Sequence, residues 1–225
     1  MKKFEMPELW VISPLIKDVV STSCSVDVTC CEADCEGYDP NDCPVFVKPV
    51  IYLYPTATTD VTVKLDFKGK LTATYPLYKG TWNVTATPEG TLTDASGRQY
   101  YCLYWEGDYG DFVQDFSKGF VVPGDRIIDF LEDSLAKLGL NEREANEFII
   151  YWLPIMCVHK YLLISFQMEN YTNAAPLTIT PAPDTLIRIF MTWKPLKAPI
   201  EIEPQELSAP ERKGFTVIEW GGLMP

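Results

Sequence analysis

Apolar and polar side chains alternate with a period of two over much of the chain. Val61, Val63, Leu65 and Phe67 interleave with Thr62, Lys64, Asp66 and Lys68. That period sends neighbouring side chains to opposite faces of a strand, one buried and one wet. Trp82, Val84 and Ala86 repeat the pattern against Asn83, Thr85 and Thr87. Residues 45–54 are instead nearly all apolar and end at Pro55, which predicts a central strand covered on both faces. Turn signals at Gly69, Pro88-Glu89-Gly90 and Asp94-Ala95-Ser96-Gly97 separate short segments at 71–75, 82–86, 91–93 and 100–105, the pattern of an antiparallel meander built from local hairpins.

The period then changes. Ile127, Leu131, Leu135 and Leu138 recur at helical spacing after Asp125 as N-cap, and Gly139 marks the stop. Asn141 with Glu144 three residues on predicts a capping box for a second helix. Its apolar stripe is Ala145, Phe148, Ile149 and Trp152, and Pro154 should end it. Period-two segments resume at 161–168, 177–180, 185–193 and 215–220, with a proline-punctuated extended stretch before the last. These elements predict an α+β domain over 45–225. It is mainly antiparallel β and sandwich-like, with an αα-hairpin inserted at about 125–153.

Composition agrees with a folded body: 47% hydrophobic and 13% aromatic side chains over 225 residues supply a full core. A net charge of −12 opposes phosphate backbones and so disfavours nucleic acid as a partner. The apolar run at 9–16 is broken by Ser13-Pro14 and followed by Lys17 and Asp18, which suits neither a secretory core nor a membrane span.

Residues 1–44 read as a separate acidic, Cys-rich arm. They hold three basic and nine acidic side chains, half of the net negative charge. Five of the seven cysteines, Cys24, Cys30, Cys31, Cys35 and Cys43, fall there within twenty residues. A disulfide staple is the leading reading, since so few apolar residues cannot hold a segment by burial. It implies an oxidising compartment. Cys31-x3-Cys35 also fits half of a zinc site. The acids Glu32, Asp34, Glu36, Asp39 and Asp42 around Gly37, ending in Cys43-Pro44, resemble a calcium-binding loop of the thrombospondin type 3 kind, which implies Asp34, Glu36, Asp39 and Asp42 as calcium ligands. Free thiols are the remaining alternative. Cys102 and Cys157, isolated in apolar segments, read as small buried hydrophobes.

Common catalytic templates are absent from the sequence: no phosphate loop, no G-x-S-x-G elbow, no His-Glu-x-x-His. His159 is the only histidine, so multi-histidine metal sites are excluded. Cys157 and His159 would share a face on a strand, a conceivable dyad, although a surface or core-edge histidine beside Lys160 is the simpler reading. Carboxylates would therefore carry any acid–base work. Glu106 follows Tyr104-Trp105, and Glu219 precedes Trp220-Gly221-Gly222. Acids beside tryptophan suit sugar hydroxyls and ring faces, for cleavage or for binding. Arg188 shares parity with Leu186 and Phe190, as Glu219 does with Phe215 and Val217. If those faces are interior, the two charges should pair with each other. If the opposite faces are interior, both charges are solvated. Trp105, Glu106, Arg188, Glu219 and Trp220 are thus the candidate binding residues, with Glu106 and Glu219 the catalytic candidates. Asn83-Val84-Thr85 and Asn170-Tyr171-Thr172 fit the glycosylation acceptor pattern at a frequency chance explains.

Several phrases keep order along the chain: Lys48-Pro49-Val50-Ile51-Tyr52-Leu53-Tyr54-Pro55, Tyr104-Trp105-Glu106-Gly107, Tyr151-Trp152-Leu153-Pro154, Pro183-Asp184-Thr185-Leu186-Ile187-Arg188 and Gly214-Phe215-Thr216-Val217-Ile218-Glu219-Trp220-Gly221-Gly222. Together they resemble a group of uncharacterised, mostly bacterial proteins, over nearly all of 48–222. The resemblance implies a module without a mechanism, and the arm lies outside it. The expectation from sequence is a non-catalytic binding or structural module, extracytoplasmic or part of an assembly, with protein or carbohydrate as partner and no cofactor. A glycan hydrolase using Glu106 and Glu219 and a calcium-dependent adhesion piece are its rivals.

Overall fold

The computed structural model describes residues 48–110 and 112–224. The cysteines Cys24, Cys30, Cys31, Cys35 and Cys43 and the acids Asp34, Glu36, Asp39 and Asp42 lie outside the described residues, as do positions 45–47 of the first expected strand.

Among the described residues the fold is α+β, with mostly antiparallel strands in two sheets and three helices. The larger sheet runs in the order β3 (Lys70–Tyr75), β7 (Leu103–Asp108), β1 (Val50–Tyr54), β12 (Thr216–Leu223), β11 (Thr185–Leu196), β9 (Tyr161–Phe166), β8 (Phe120–Pro123). The smaller runs β10 (Leu177–Thr180), β2 (Thr59–Leu65), β4 (Trp82–Ala86), β5 (Leu92–Thr93), β6 (Gln99–Tyr100). Helices α1 (Ile127–Lys137) and α2 (Glu142–Met156) form the inserted hairpin, and α3 (Met168–Ala174) follows β9.

Two cores explain the apolar runs. Val50 and Tyr52 of β1 join Ile187, Ile189, Met191 and Trp193 of β11, Ile218 and Trp220 of β12 and the stripes of α1 and α2 in a helix-facing core. Ile51 and Leu53 point the other way, joining Phe190, Val217, Trp105 and the inward side chains of β2 and β4 between the sheets. Middle strands of the larger sheet are therefore buried on both faces, and continuous apolar sequence follows. Strand β2 has one dry face, and its sequence alternates.

The capping box of α2 forms as expected. Glu144 N–H donates to Asn141 Oδ1 and Asn141 N–H to Glu144 Oε2, each at 2.9 Å. Arg212 then donates through both terminal nitrogens to the Glu144 carboxylate, again at 2.9 Å, neutralising a fully buried acid.

Other expectations are corrected. The meander is interrupted, because β3 leaves to pair with β7 in the larger sheet while β2 pairs directly with β4. The connection 76–81 is too long to enforce a tight hairpin, which frees the chain to change sheets. Asp125 is not the cap of α1: it lies in a 3-10 turn, and Arg126 precedes the helix without a side-chain cap. Pro154 sits inside α2, which continues to Met156. Pro154 and Ile150, the residue whose carbonyl loses its helical donor, are both exposed, and Cys157 N–H closes the end on Leu153 O. Strand β9 stops at Phe166 because Gln167 turns the chain, its Nε2 donating to Asp115 O, Ser165 Oγ and Thr192 Oγ1. Strands β11 and β12 are parallel, so the proline-punctuated stretch between them is a crossover without a helix.

Candidate functional site

Parity places Arg188 and Glu219 between the sheets, and the register of the parallel pair sets them side by side. Arg188 Nε donates to Glu219 Oε2 at 2.5 Å, with side-chain exposures of 5% and 0%. Trp105 Nε1 donates to the other carboxylate oxygen at 3.0 Å. Arg188 Nη2 donates to Ala175 O at 2.6 Å. The guanidinium lies 4.7 Å from the centroid of the Tyr171 ring, which stacks on Phe190 at 4.3 Å. The charges are thus paired and hydrogen-bonded, as a dry interior requires. Burial is the largest influence and works against the Arg188 charge, but the Glu219 charge and hydrogen bond together with Tyr171 outweigh it and hold the guanidinium pKa above its ordinary value. Burial, and then the Glu219 charge, push the Tyr109 and Tyr171 phenols well above theirs, so both stay protonated.

The aromatic array continues outward. Phe67 packs on Trp105 at 4.9 Å and on Tyr109 at 4.7 Å, and Tyr109 meets Phe112 at 5.4 Å. Phe67, Tyr109 and Phe112 wall an open cleft of about 700 Å³, whose other lining includes Lys68, Lys70, Asn170 and Asn173. The turn between β2 and β3, the first residue of β3 and the end of β7 with the loop after it supply one side, and helix α3 the other. Asp108, also at the rim, is turned back on its own loop, where Oδ1 accepts from Gly110 N–H at 2.9 Å.

Of the five binding candidates, Trp105, Arg188 and Glu219 come together, in the interior behind this cleft. Glu106 does not join them. It alternates with Trp105 along β7 and so stands on the opposite face of the sheet from Glu219. Trp220 is 1% exposed in the helix-facing core, its Nε1 donating to Tyr52 Oη at 3.2 Å. The cleft residues themselves escaped the sequence reading. Nothing local showed that Tyr109 and Phe112 face α3, a helix whose Asn and Thr content reads as coil.

Cys157 and His159 lie in the turn after α2, not on a strand. The imidazole rests against Trp193 at 5.6 Å, a core-edge position. Cys157 is exposed and Cys102 half-buried, so neither is the fully buried hydrophobe expected, and both are free thiols. Burial, reinforced by the Glu147 charge, pushes the Cys102 thiol up to about 12. Iodoacetamide at about pH 8 should therefore label Cys157 in the native protein and Cys102 only after denaturation, read by peptide mass spectrometry. Equal native labelling would contradict this placement. Among the described residues no group of His, Cys, Asp and Glu side chains is arranged to hold a metal ion, and no helix is long and apolar enough to cross a membrane.

In comparisons with family models, curated proteins and solved structures, nothing matches the chain.

Proposed function

We propose that this domain is a non-catalytic binding module that takes its ligand, protein or carbohydrate, into the cleft walled by Phe67, Tyr109 and Phe112. Presentation outside the cytoplasm or on an assembly, with residues 1–44 stapled by disulfides, belongs to the same proposal. The observation that carries it is the pairing of an open, aromatic-walled cleft with a sealed interior charge pair. Ligand sites combine apolar walls with a few convergent polar groups, and the cleft has both. The rival glycan hydrolase needs two carboxyls facing one substrate across roughly 5–9.5 Å. Glu106 and Glu219 stand on opposite sheet faces, and Glu219 is held by Arg188 and Trp105.

The test is retention of ligands from glycan and peptide arrays by the intact chain, compared with Asn173→Trp, which fills the cleft from an exposed helical position. Retention should fall at least about tenfold with an unchanged melting temperature, and bound ligand should be recovered intact. Retention unaffected by the filled cleft, or cleavage of a retained glycan, would overturn the proposal.

A further inference from the structure

We infer that the cleft selects carboxylated saccharides, short oligomers of uronic acids, over neutral ones; this rests on the binding reading above. The cleft contrasts in charge with the rest of the molecule. In a chain of net charge −12, its described lining carries two ammonium groups, Lys68 and Lys70, against the single Asp108 carboxylate. That carboxylate is already engaged by Gly110 N–H. Neither lysine makes an ion pair among the described residues, whereas Lys118, Lys137 and Lys213 each do. Two uncommitted cations beside a low-dielectric aromatic wall focus a positive field and favour an anion.

A bare anion would leave the aromatic wall without a partner. Sugar rings offer apolar C–H faces to aromatic surface while their hydroxyls need groups that both donate and accept. Asn170 and Asn173, exposed on one side of α3, supply such carboxamides across the cleft from the rings. Among the described residues the Asn170 amide is held only by long contacts of 3.4 Å to Val113 O and Gln167 Oε1, so it can turn to a ligand.

An extended acidic peptide fits less well. Peptides that dock in this manner pair with free main-chain groups, but Asp66 N–H and Lys68 N–H already donate to Pro176 O and Ala174 O at 2.8 and 2.9 Å. Recognition at this site falls to side chains.

The experiment titrates the full chain by calorimetry with galacturonate, mannuronate and guluronate tetramers, with the fully methyl-esterified form of each, and with a neutral glucan tetramer. An aspartate-rich peptide is the comparison ligand. At least one uronate tetramer should bind about tenfold or more tightly than its ester. Raising NaCl from about 50 to about 500 mM should weaken that binding severalfold, and K68E/K70E should abolish it without changing the melting temperature. Equal binding of acid and ester would overturn the acidic selectivity and leave the binding module standing. Preference for the peptide would overturn the saccharide assignment. Absence of binding to any of these ligands, together with array retention that ignores a filled cleft, would overturn both.

Discussion

Arg188→Met is expected to lower the stability of the domain by about 3–5 kcal/mol, because it strands a buried carboxylate rather than merely deleting a contact. Glu219 is fully buried, and its oxygens have two protein donors, Arg188 Nε and Trp105 Nε1. Removing the first leaves an uncompensated charge that one indole N–H cannot satisfy. Glu219→Gln should also destabilise, by exposing the Arg188 charge to the same dry interior. The double variant R188M/E219Q should cost clearly less than the sum, with a coupling of about 2 kcal/mol, since neither charge is then left alone. Urea midpoints at constant m-value measure all four corners of the cycle. A loss below about 1 kcal/mol for either single change would show that the pair is hydrated and would undo its placement between the sheets.

This pair also marks how far the sequence was legible. Parity grouped Arg188 with Leu186 and Phe190 and Glu219 with Phe215 and Val217, because a period of two is a property of the backbone, but it left open which faces are interior, and the register of β11 on β12 decides that they share one space. The helical hairpin was legible for a similar reason, since Asn141 and Glu144 satisfy each other within one turn. Expectations that depended on distant partners went astray. Strand β3 pairs with β7 instead of its sequence neighbour, and α3 forms despite poor propensity because Tyr171 is buried against Phe190 and Arg188. Glu106 and Trp220 resembled site residues because each neighbours an aromatic or an acid in sequence. Adjacent strand residues face opposite ways, so proximity along the chain counted against their sharing a site. The cleft was invisible because it is assembled from segments at 67–70, 108–113 and 170–174, which tertiary packing alone joins.

The closing phrase Glu219-Trp220-Gly221-Gly222 acquires a packing meaning, and Gly222→Ala should show it with a loss of about 3 kcal/mol. A Cβ at Gly222 would stand 2.6 Å from Trp152 Cζ2 and 2.7 Å from Met191 O. One obstacle is the indole of a fully buried side chain and the other is backbone of the neighbouring strand, so neither yields cheaply. At Gly221 the nearest atoms belong to Pro49 at 3.1 Å, a contact that a few tenths of an ångström relieves, and Gly221→Ala should cost no more than about 1 kcal/mol. Two identical neighbours thus differ because one side chain would enter the helix-facing core and the other would approach the start of β1. Trp152→Phe removes the indole edge nearest the new methyl, so it should recover part of the loss in the Gly222→Ala background while destabilising the wild type by leaving a gap. Recovery should stay incomplete, since the Met191 carbonyl remains in place. Equal costs at Gly221 and Gly222 would mean that the faces of β12 are exchanged, and with them the assignment of Glu219 to the sandwich interior and Trp220 to the helices.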